Sequence, residues 1–122
     1  MNKRQVGDYY ESLACAYLLK EGVTIVERNY RALRGEIDII AQDGRYLVFI
    51  EVKYRKDKRF GAPEAAVTIS KQRQICKLSK LYLYSKKKST DFPIRYDVIA
   101  ITDIDNTATI RWYKNAFDYV GW

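Results

Sequence analysis

The sequence contains no histidine and only two cysteines among its 122 residues. Without histidine, no hydrolytic mechanism can use an imidazole base, so any such chemistry would depend on carboxylates, lysine or a metal ion. Two cysteines alone also make a poor zinc site. We expect Cys15 and Cys76 to be reduced, partly buried thiols, as in most cytoplasmic proteins, although the residues themselves leave a disulfide open.

Long apolar runs are absent as well. The longest obvious run, residues 46–50, is far shorter than the ~18 residues of a membrane span. Residues 1–10 contain no apolar stretch of the kind found in secretory signals. We therefore expect a cytoplasmic protein that does not enter a membrane. A composition that is 48% apolar and 14% aromatic indicates a folded chain, and 122 residues predict one domain over 1–122.

Positive charge is concentrated in one part of the chain. The net charge is +7, but residues 53–88 carry twelve basic and two acidic side chains, a net +10, which leaves −3 for the remainder. Such a block is typical of a polyanion-binding surface. A solvated lysine-rich helix would have the same composition, and charge alone does not distinguish the two.

Residue periodicity predicts two helices and five strands in the order α-β-β-β-α-β-β, a mixed sheet flanked by helices. Ser70 is a candidate cap within the second helix, and Asp43-Gly44 predicts a hairpin turn between the second and third strands. The predicted helices are residues 3–21 and 64–84, and the predicted strands are residues 23–30, 36–42, 45–55, 93–101 and 107–113.

The predicted hairpin brings acidic residues together. With Asp43-Gly44 as a two-residue loop, Glu36 would lie opposite Glu51 and Asp38 opposite Phe49. Because partners across strands share a face, as do residues i and i+2, one face would carry three carboxylates and Lys53. Clustered carboxylates are costly unless they are paired or bind a metal, and oxygen ligands favour Mg²⁺ or Mn²⁺.

Lys53 has two interpretations. Beside a metal-bound carboxylate, its ammonium group can orient or deprotonate the attacking water and neutralise charge that develops on a phosphate. Alternatively, Lys53 simply pairs with Glu51 or Asp38 at a strand end. The residues alone leave both open.

Several motifs resemble those of a known family. GEIDII at 35–40 and VFIEVKYR at 48–55 resemble the Asp…Glu-x-Lys signature of the PD-(D/E)XK nuclease superfamily. Together with GDYYESLACAYLLKEG at 7–22, ERNYR at 27–31, FGAPEAAVTISKQRQI at 60–75 and YDVIAI at 96–101, nearly the whole chain resembles the bacterial YraN-like family, which is grouped with archaeal Holliday-junction resolvases. The chain departs from the signature at Ile37, which replaces the proline before the aspartate.

The resemblance implies a restriction-endonuclease-like fold and Mg²⁺- or Mn²⁺-dependent hydrolysis of phosphodiester bonds in DNA, which is favoured over RNA, with branched or structured DNA as a candidate substrate. It also raises a homodimer as one option, since relatives commonly act as dimers. Two alternatives stay open: a non-catalytic nucleic-acid-binding module that retains the nuclease fold, and an interaction protein that binds an acidic partner.

The resemblance also implies roles for individual residues. Asp38 and Glu51 match the metal-binding carboxylates, Lys53 matches the catalytic lysine, and the backbone carbonyl of Val52 would be a further metal ligand. Glu11 matches an additional acidic residue beside the metal, its alternative being a solvated position on the helix face.

The remaining candidates are less specific. Glu36 is either an outer-shell carboxylate or an exposed residue at a strand start. We expect the eleven tyrosines to serve mainly in the core and not as stacking platforms for bases. The candidate nucleic-acid contacts are Lys71, which also matches the family pattern, together with Arg55, Arg73, Lys77 and Arg34, and the neighbouring cations Lys56, Lys58, Arg59, Lys80, Arg28 and Arg31.

Overall fold

The computed structural model describes residues 1–56, 67–89 and 91–120. Its elements follow the predicted α-β-β-β-α-β-β order. Among these residues, no helix is both long and apolar enough to span a bilayer. In chain order the elements are α1 (Lys3–Lys20), β1 (Thr24–Ala32), β2 (Gly35–Asp43), β3 (Tyr46–Arg55), α2 (Ile69–Ser85), β4 (Ile94–Ile104) and β5 (Thr107–Tyr113).

The five strands form one sheet in the order β1-β2-β3-β4-β5. All neighbours are antiparallel except β3 and β4, which are parallel. Parallel neighbours need a crossover connection, and α2 lies in the segment that joins these two strands. The predicted mixed α/β sheet with flanking helices is therefore confirmed.

The two helices cover opposite faces of the sheet. Successive residues of β3 show this, because they belong to different cores. Leu47 and Phe49 pack with α2, in what we call the α2-side core, whereas Val48 and Ile50 pack with α1, in the α1-side core. A strand buried on both faces reads as a continuous apolar run, as this one does. By the same alternation, Glu51 and Lys53 belong to the α2 side of the sheet.

The predicted β2–β3 register is wrong by two residues. Asp43 pairs with Tyr46, so the loop is Gly44-Arg45 and not Asp43-Gly44. Gly44 has φ 60° and takes the first loop position, where a primed hairpin turn prefers glycine. The predicted pairs Glu36–Glu51 and Asp38–Phe49 are therefore wrong; Phe49 instead pairs with Ile40.

Element ends differ from prediction where capping and turns decide them. The N-cap of α2 is Thr68, whose hydroxyl accepts from the backbone N–H of Lys71 at 3.1 Å; Ser70, the predicted cap, lies inside the helix.

The predicted start of this helix at residues 64–66 lies outside the described residues, as do Lys58 and Arg59. Strand β4 extends to Ile104 because the following turn uses only two residues.

The cysteines and the C-terminal segment belong to the core. Cys15 and Cys76 are free and buried, as predicted, and they lie in the α1-side and α2-side cores respectively. The C-terminal segment covers the α2-side core: Phe117 stacks on Tyr96 with ring centroids 5.1 Å apart, and the backbone N–H of Val120 donates to Sγ of Cys76 at 3.2 Å.

A buried carboxylate ties the centre of the sheet to its edge. Asp97 in β4 is 0% exposed. It accepts from the Arg95 guanidinium, from Nε1 of Trp112 and from the backbone N–H of Asn115, each with a contact of 2.8 Å. Arg95 also donates to Asp43 at 2.8 Å, which links β4 to the end of β2. The charge of Asp97 is thus fully compensated.

We predict that Asp97→Ala lowers the free energy of unfolding by about 3–5 kcal/mol, because it removes the acceptor of the Trp112 indole N–H and of the Asn115 backbone N–H, and one of the two carboxylates that the mostly buried Arg95 guanidinium binds. Urea unfolding followed by circular dichroism measures the change. The matched control is Asp91→Ala at an exposed position, for which a change within about 0.5 kcal/mol is expected. A similarly small change for Asp97→Ala would show that the network contributes little.

Candidate functional site

The candidate site lies where β2 and β3 separate. Their ladder runs from Asp43↔Tyr46 to Ile39↔Ile50 and ends there. Beyond it β2 stays paired with β1 as far as Ala32↔Gly35, while β3 continues beside β4 to Arg55. The two strands therefore form a fork, and Asp38 is the first residue of β2 beyond the last ladder pair.

Asp38 sits at a local break in strand alternation. The position across from it on β1 is Asn29, which has φ 56°. Asparagine tolerates this left-handed conformation better than most residues do. Ile37 and Ile40 both join the α2-side core, although strict alternation would put them on opposite faces. This irregularity allows the acidic side chains of β2 to reach α1 as well as β3.

Asp38 is held in the fork by the backbone of β3. The N–H of Val52 donates to Oδ2 of Asp38 at 2.8 Å. The Asp38 carboxylate thus replaces the carbonyl oxygen that a paired strand would provide. The backbone N–H of Val52 therefore stays hydrogen-bonded although the two strands have separated. The resemblance implies that the carbonyl of Val52 is a metal ligand. The N–H of the same residue orients the Asp38 carboxylate.

Three carboxylates from two elements meet at this point. Glu11 of α1 and Glu36 and Asp38 of β2 each bring an oxygen within 4.8 Å of the other two. The side chain of Glu11 is 12% exposed, so it does not occupy the solvated position on the helix face that was its alternative. Glu36 lies beside Asp38 and not opposite Glu51, and it also pairs with Arg31 at 3.6 Å.

The environment of Glu11 favours a cation. Its Oε1 is buried and has no hydrogen-bond partner among the described residues, and Nη2 of Arg28 approaches it only to 3.8 Å. Burial, followed by the negative charges of Asp38 and Glu36, raises the pKa of Glu11 to about 7, against the lowering effect of Arg28. A buried acceptor without a donor, in a crowded set of oxygens, fits a hard divalent cation.

Glu51 lies on the other side of Asp38. Its side chain is 14% exposed, and burial raises its pKa to about 8; the charge of Asp38 and a hydrogen bond from protonated Glu51 to Asp38 act in the same direction. The positive charges of Lys71, whose Nζ lies 3.8 Å from Oε2, and of Lys53 favour the ionised form. The structure thus brings Asp38, Glu51 and Lys53 close enough to interact electrostatically.

Two residues absent from the predicted site hold Lys71 in place. Oε1 of Gln74 accepts from Nζ of Lys71 at 3.1 Å. The Gln74 side chain packs so closely over Gly35 that a Cβ there would come within 2.7 Å of Gln74 Cδ. Gly35 therefore leaves room for the Gln74 side chain beside β2. The i, i+3 spacing of Lys71 and Gln74 in a predicted helix was the sequence signal from which this contact could have been predicted.

Basic residues extend away from the acidic cluster along α2. The structure brings Lys71, Arg73, Lys77 and Arg34 together as lining of adjoining hollows between α2 and the β1–β2 hairpin. Arg55 lies elsewhere, at the end of β3 and paired with Thr102 of β4. Arg28, expected beside the candidate nucleic-acid contacts, lies against Glu11 instead.

These features define an α/β protein with a mixed five-stranded sheet, carboxylates gathered at a strand fork and a basic helix beside them. The model of the uncharacterised protein family UPF0102 matches residues 10–101. The chain belongs to this family, which is the YraN-like family that its motifs resemble.

Several members resemble the chain over nearly its full length. A UPF0102 protein of Lachnoclostridium phytofermentans is 45% identical over 121 residues, 99% of each chain. One from Geotalea daltonii is 47% identical over 118 residues, 96% of this chain and 92% of its own. One from Carboxydothermus hydrogenoformans is 42% identical over 119 residues, 98% and 100% of the two chains.

We predict that the metal-free protein loses stability as the pH rises from about 5 to about 8. The folded pKa values of Glu11 and Glu51, about 7 and about 8 against an ordinary 4.5, mean that the folded state binds more protons across this interval. The free energy of unfolding then falls with rising pH. We expect a fall of at least about 1 kcal/mol, since one pKa unit corresponds to ~1.4 kcal/mol.

Urea unfolding in EDTA at several pH values measures this slope. Glu51→Gln and Glu11→Gln should each flatten it, whereas Glu21→Gln, at an exposed position, should not. A wild-type slope that both glutamine variants retain would contradict the assignment.

Proposed function

We propose that the chain is a Mg²⁺- or Mn²⁺-dependent endonuclease that hydrolyses phosphodiester bonds in DNA, with branched or structured DNA as a candidate substrate. The observation that carries the proposal is the position of Asp38 between two other mostly buried carboxyl groups, Glu11 and Glu51, with Lys71 and Lys53 close to Glu51. Structural carboxylates are normally paired with donors, whereas here burial and mutual repulsion raise two pKa values. The resemblance to the PD-(D/E)XK superfamily supports the same activity.

The carboxylates supply the ligand set. Asp38 and Glu51, with the carbonyl of Val52, would hold the cation, and Glu11 and Glu36 would add negative charge on the α1 side. A bound divalent ion polarises the phosphoryl oxygen and lowers the pKa of its water. The hydrogen bond from Val52 to Asp38 sets the carboxylate in advance, so that little rearrangement is needed.

The lysines act on the phosphate and the proton. Lys53, which follows Glu51 by two residues on the same strand, would orient the attacking water and offset charge that develops on the phosphate. Lys71 would contact a neighbouring phosphate while Gln74 keeps its ammonium group beside Glu51. The flanking basic residues would add affinity that depends on salt but carries little sequence information.

We expect purified protein to cut DNA only with Mg²⁺ or Mn²⁺, and Asp38→Ala and Lys53→Ala to lower the cleavage rate at least about 100-fold while DNA binding changes little. The assay compares branched, nicked, single-stranded and linear duplex DNA with each metal and with EDTA. Asp91→Ala, purified in parallel, is the control for the substitution and the preparation.

Cleavage that persists undiminished in Asp38→Ala would come from a contaminating nuclease and would refute the proposed mechanism. Tight, salt-sensitive DNA binding with no cleavage under any of these conditions would instead favour the non-catalytic nucleic-acid-binding module.

Metal binding gives a readout that does not depend on turnover. We predict that Mn²⁺ raises the melting temperature of EDTA-treated protein, since a ligand at 100 times its Kd stabilises the fold by about 2.7 kcal/mol. Asp38→Asn should lower the Mn²⁺ affinity at least about tenfold, measured by isothermal titration calorimetry, because it removes a charged ligand at the centre of the cluster. Glu21→Gln is the control, and equal Mn²⁺ affinity in Asp38→Asn and wild type would exclude the site.

A further inference from the structure

Three adjoining hollows, together called the groove here, lead away from the acidic cluster along α2. Its first part is lined by Glu36 and Lys71, its middle by Arg73 and Lys77, and its far end by residues of the last turns of α2. The three parts adjoin, because the first two share Gln74 and the last two share Lys77 and Leu33. From Lys71 to Tyr84 the helix rises about 20 Å at 1.5 Å per residue.

The far end of the groove is apolar within a basic surround. Leu33, Leu81 and Tyr84 line a hollow of about 450 Å³, and Lys77, Lys80 and Lys88 line it with them. Tyr84 is 82% exposed and Leu33 is 67% exposed. Most tyrosines were expected in the core, and this one is a clear exception. An apolar surface ringed by lysines suits a ligand that is anionic at its edge and apolar on its face.

The hairpin turn that forms the opposite wall is strained. Leu33 and Arg34 connect β1 to β2 and have φ 49° and 61°. Two-residue turns of this kind favour Asn-Gly, and a left-handed residue with a bulky side chain is an outlier. The strain places one apolar and one cationic side chain along the groove. Strain of this kind concentrates at ligand-binding sites.

We propose that this groove binds a single-stranded segment of the nucleic-acid substrate, with one unpaired base stacked on Tyr84 against Leu33 and Leu81. The proposal rests on the proposed function and specifies its substrate: DNA with an unpaired stretch next to the scissile bond. At 3.4 Å per stacked nucleotide, the stacked base lies about six nucleotides from the acidic cluster, or fewer if the strand is extended.

The surrounding charge favours this occupant over a second copy of the chain. Among the lining residues that the structure describes, Glu36 is the one acidic side chain, and it lies at the end next to the cluster. A symmetric dimer on this face would bring like-charged lysines together. Intact duplex presents its phosphates outward and has no free base face to cover the apolar end, whereas an unpaired base does.

The test measures binding in EDTA, so it does not depend on turnover. Fluorescence anisotropy compares a duplex that carries a ten-nucleotide single-stranded tail with the same duplex made blunt, for both tail polarities. We expect wild-type protein to prefer the tailed duplex and Tyr84→Ala to weaken that binding about 5- to 100-fold, with less than a twofold change for blunt duplex. Tyr84→Phe, which keeps the ring, should bind like wild type.

Two further variants sharpen the test. Leu33→Asn keeps a residue that tolerates the left-handed turn but removes the apolar surface, and it should weaken tail binding in the same direction as Tyr84→Ala. Tyr9→Ala removes an exposed tyrosine on α1, away from the groove, and should have no effect. A 2-aminopurine placed at successive tail positions should be quenched at one position by wild type and by Tyr84→Phe, and at none by Tyr84→Ala.

The outcomes separate the two proposals. Tailed and blunt duplexes bound equally, with Tyr84→Ala unchanged, would overturn the stacking site even if metal-dependent cleavage is observed. Loss of a wild-type dimer in Tyr84→Ala, measured by sedimentation, would assign the apolar end to self-association and also overturn it. No measurable binding of any DNA, together with no cleavage, would overturn the proposed function itself.

Discussion

The hydrogen bond from the backbone of Val52 to Asp38 is the interaction on which the candidate site depends. A fork between two strands exposes donors and acceptors that a sheet would normally pair. Here a carboxylate closes the end of the ladder, and the fork can stay open without an unsatisfied backbone group at that point. The open fork is what gives Glu11 from one face of the sheet and Glu51 from the other access to the same aspartate.

Asp97 differs sharply from Glu11 and Glu51 in how far its negative charge is compensated by neighbouring donors. Asp97 is surrounded by donors and is structurally complete. Among the described residues, Glu11 has a buried oxygen without a donor, and Lys71 approaches Glu51 at ion-pair distance. The first arrangement stabilises the fold, whereas the second leaves carboxyl oxygens available to a cation at the cost of stability. This contrast within one small protein is the physical reason to look for a ligand at the fork and not at Asp97.

The sequence was sufficient to predict the order of the elements and the mixed sheet, because alternation and helical periodicity are local signals. It also brought Asp38, Glu51 and Lys53 to the same part of the sheet; the even loop keeps Ile40 and Phe49 on a shared face, although alternation breaks at Asp38 itself. The exact register failed because Gly44 takes the first and not the second place in the turn. Local sequence patterns do not indicate which of the two turn positions the glycine takes.

Other features of the site depend on contacts between distant segments. Gln74 packs over Gly35, which lies far from it in the chain, and the break in alternation at Asp38 lies across from the left-handed Asn29 on the neighbouring strand. Neither the packing over Gly35 nor the conformation of Asn29 leaves a periodic signal along the chain, whereas the i, i+3 spacing of Lys71 and Gln74 does. The apolar end of the groove combines a hairpin turn with the last turns of a helix that begins more than thirty residues later, a proximity that only the folded sheet creates.

The left-handed pair Leu33-Arg34 has a consequence for attempts to make this protein more robust. Selection for thermal tolerance alone would favour Asn-Gly at these two positions, because that dipeptide adopts the turn without steric cost. The improved scaffold would lack the exposed leucine and the arginine of the groove wall. If the groove binds the substrate as proposed, robustness and recognition compete at this two-residue turn, and a heat-selected variant is the wrong starting point for studying the substrate.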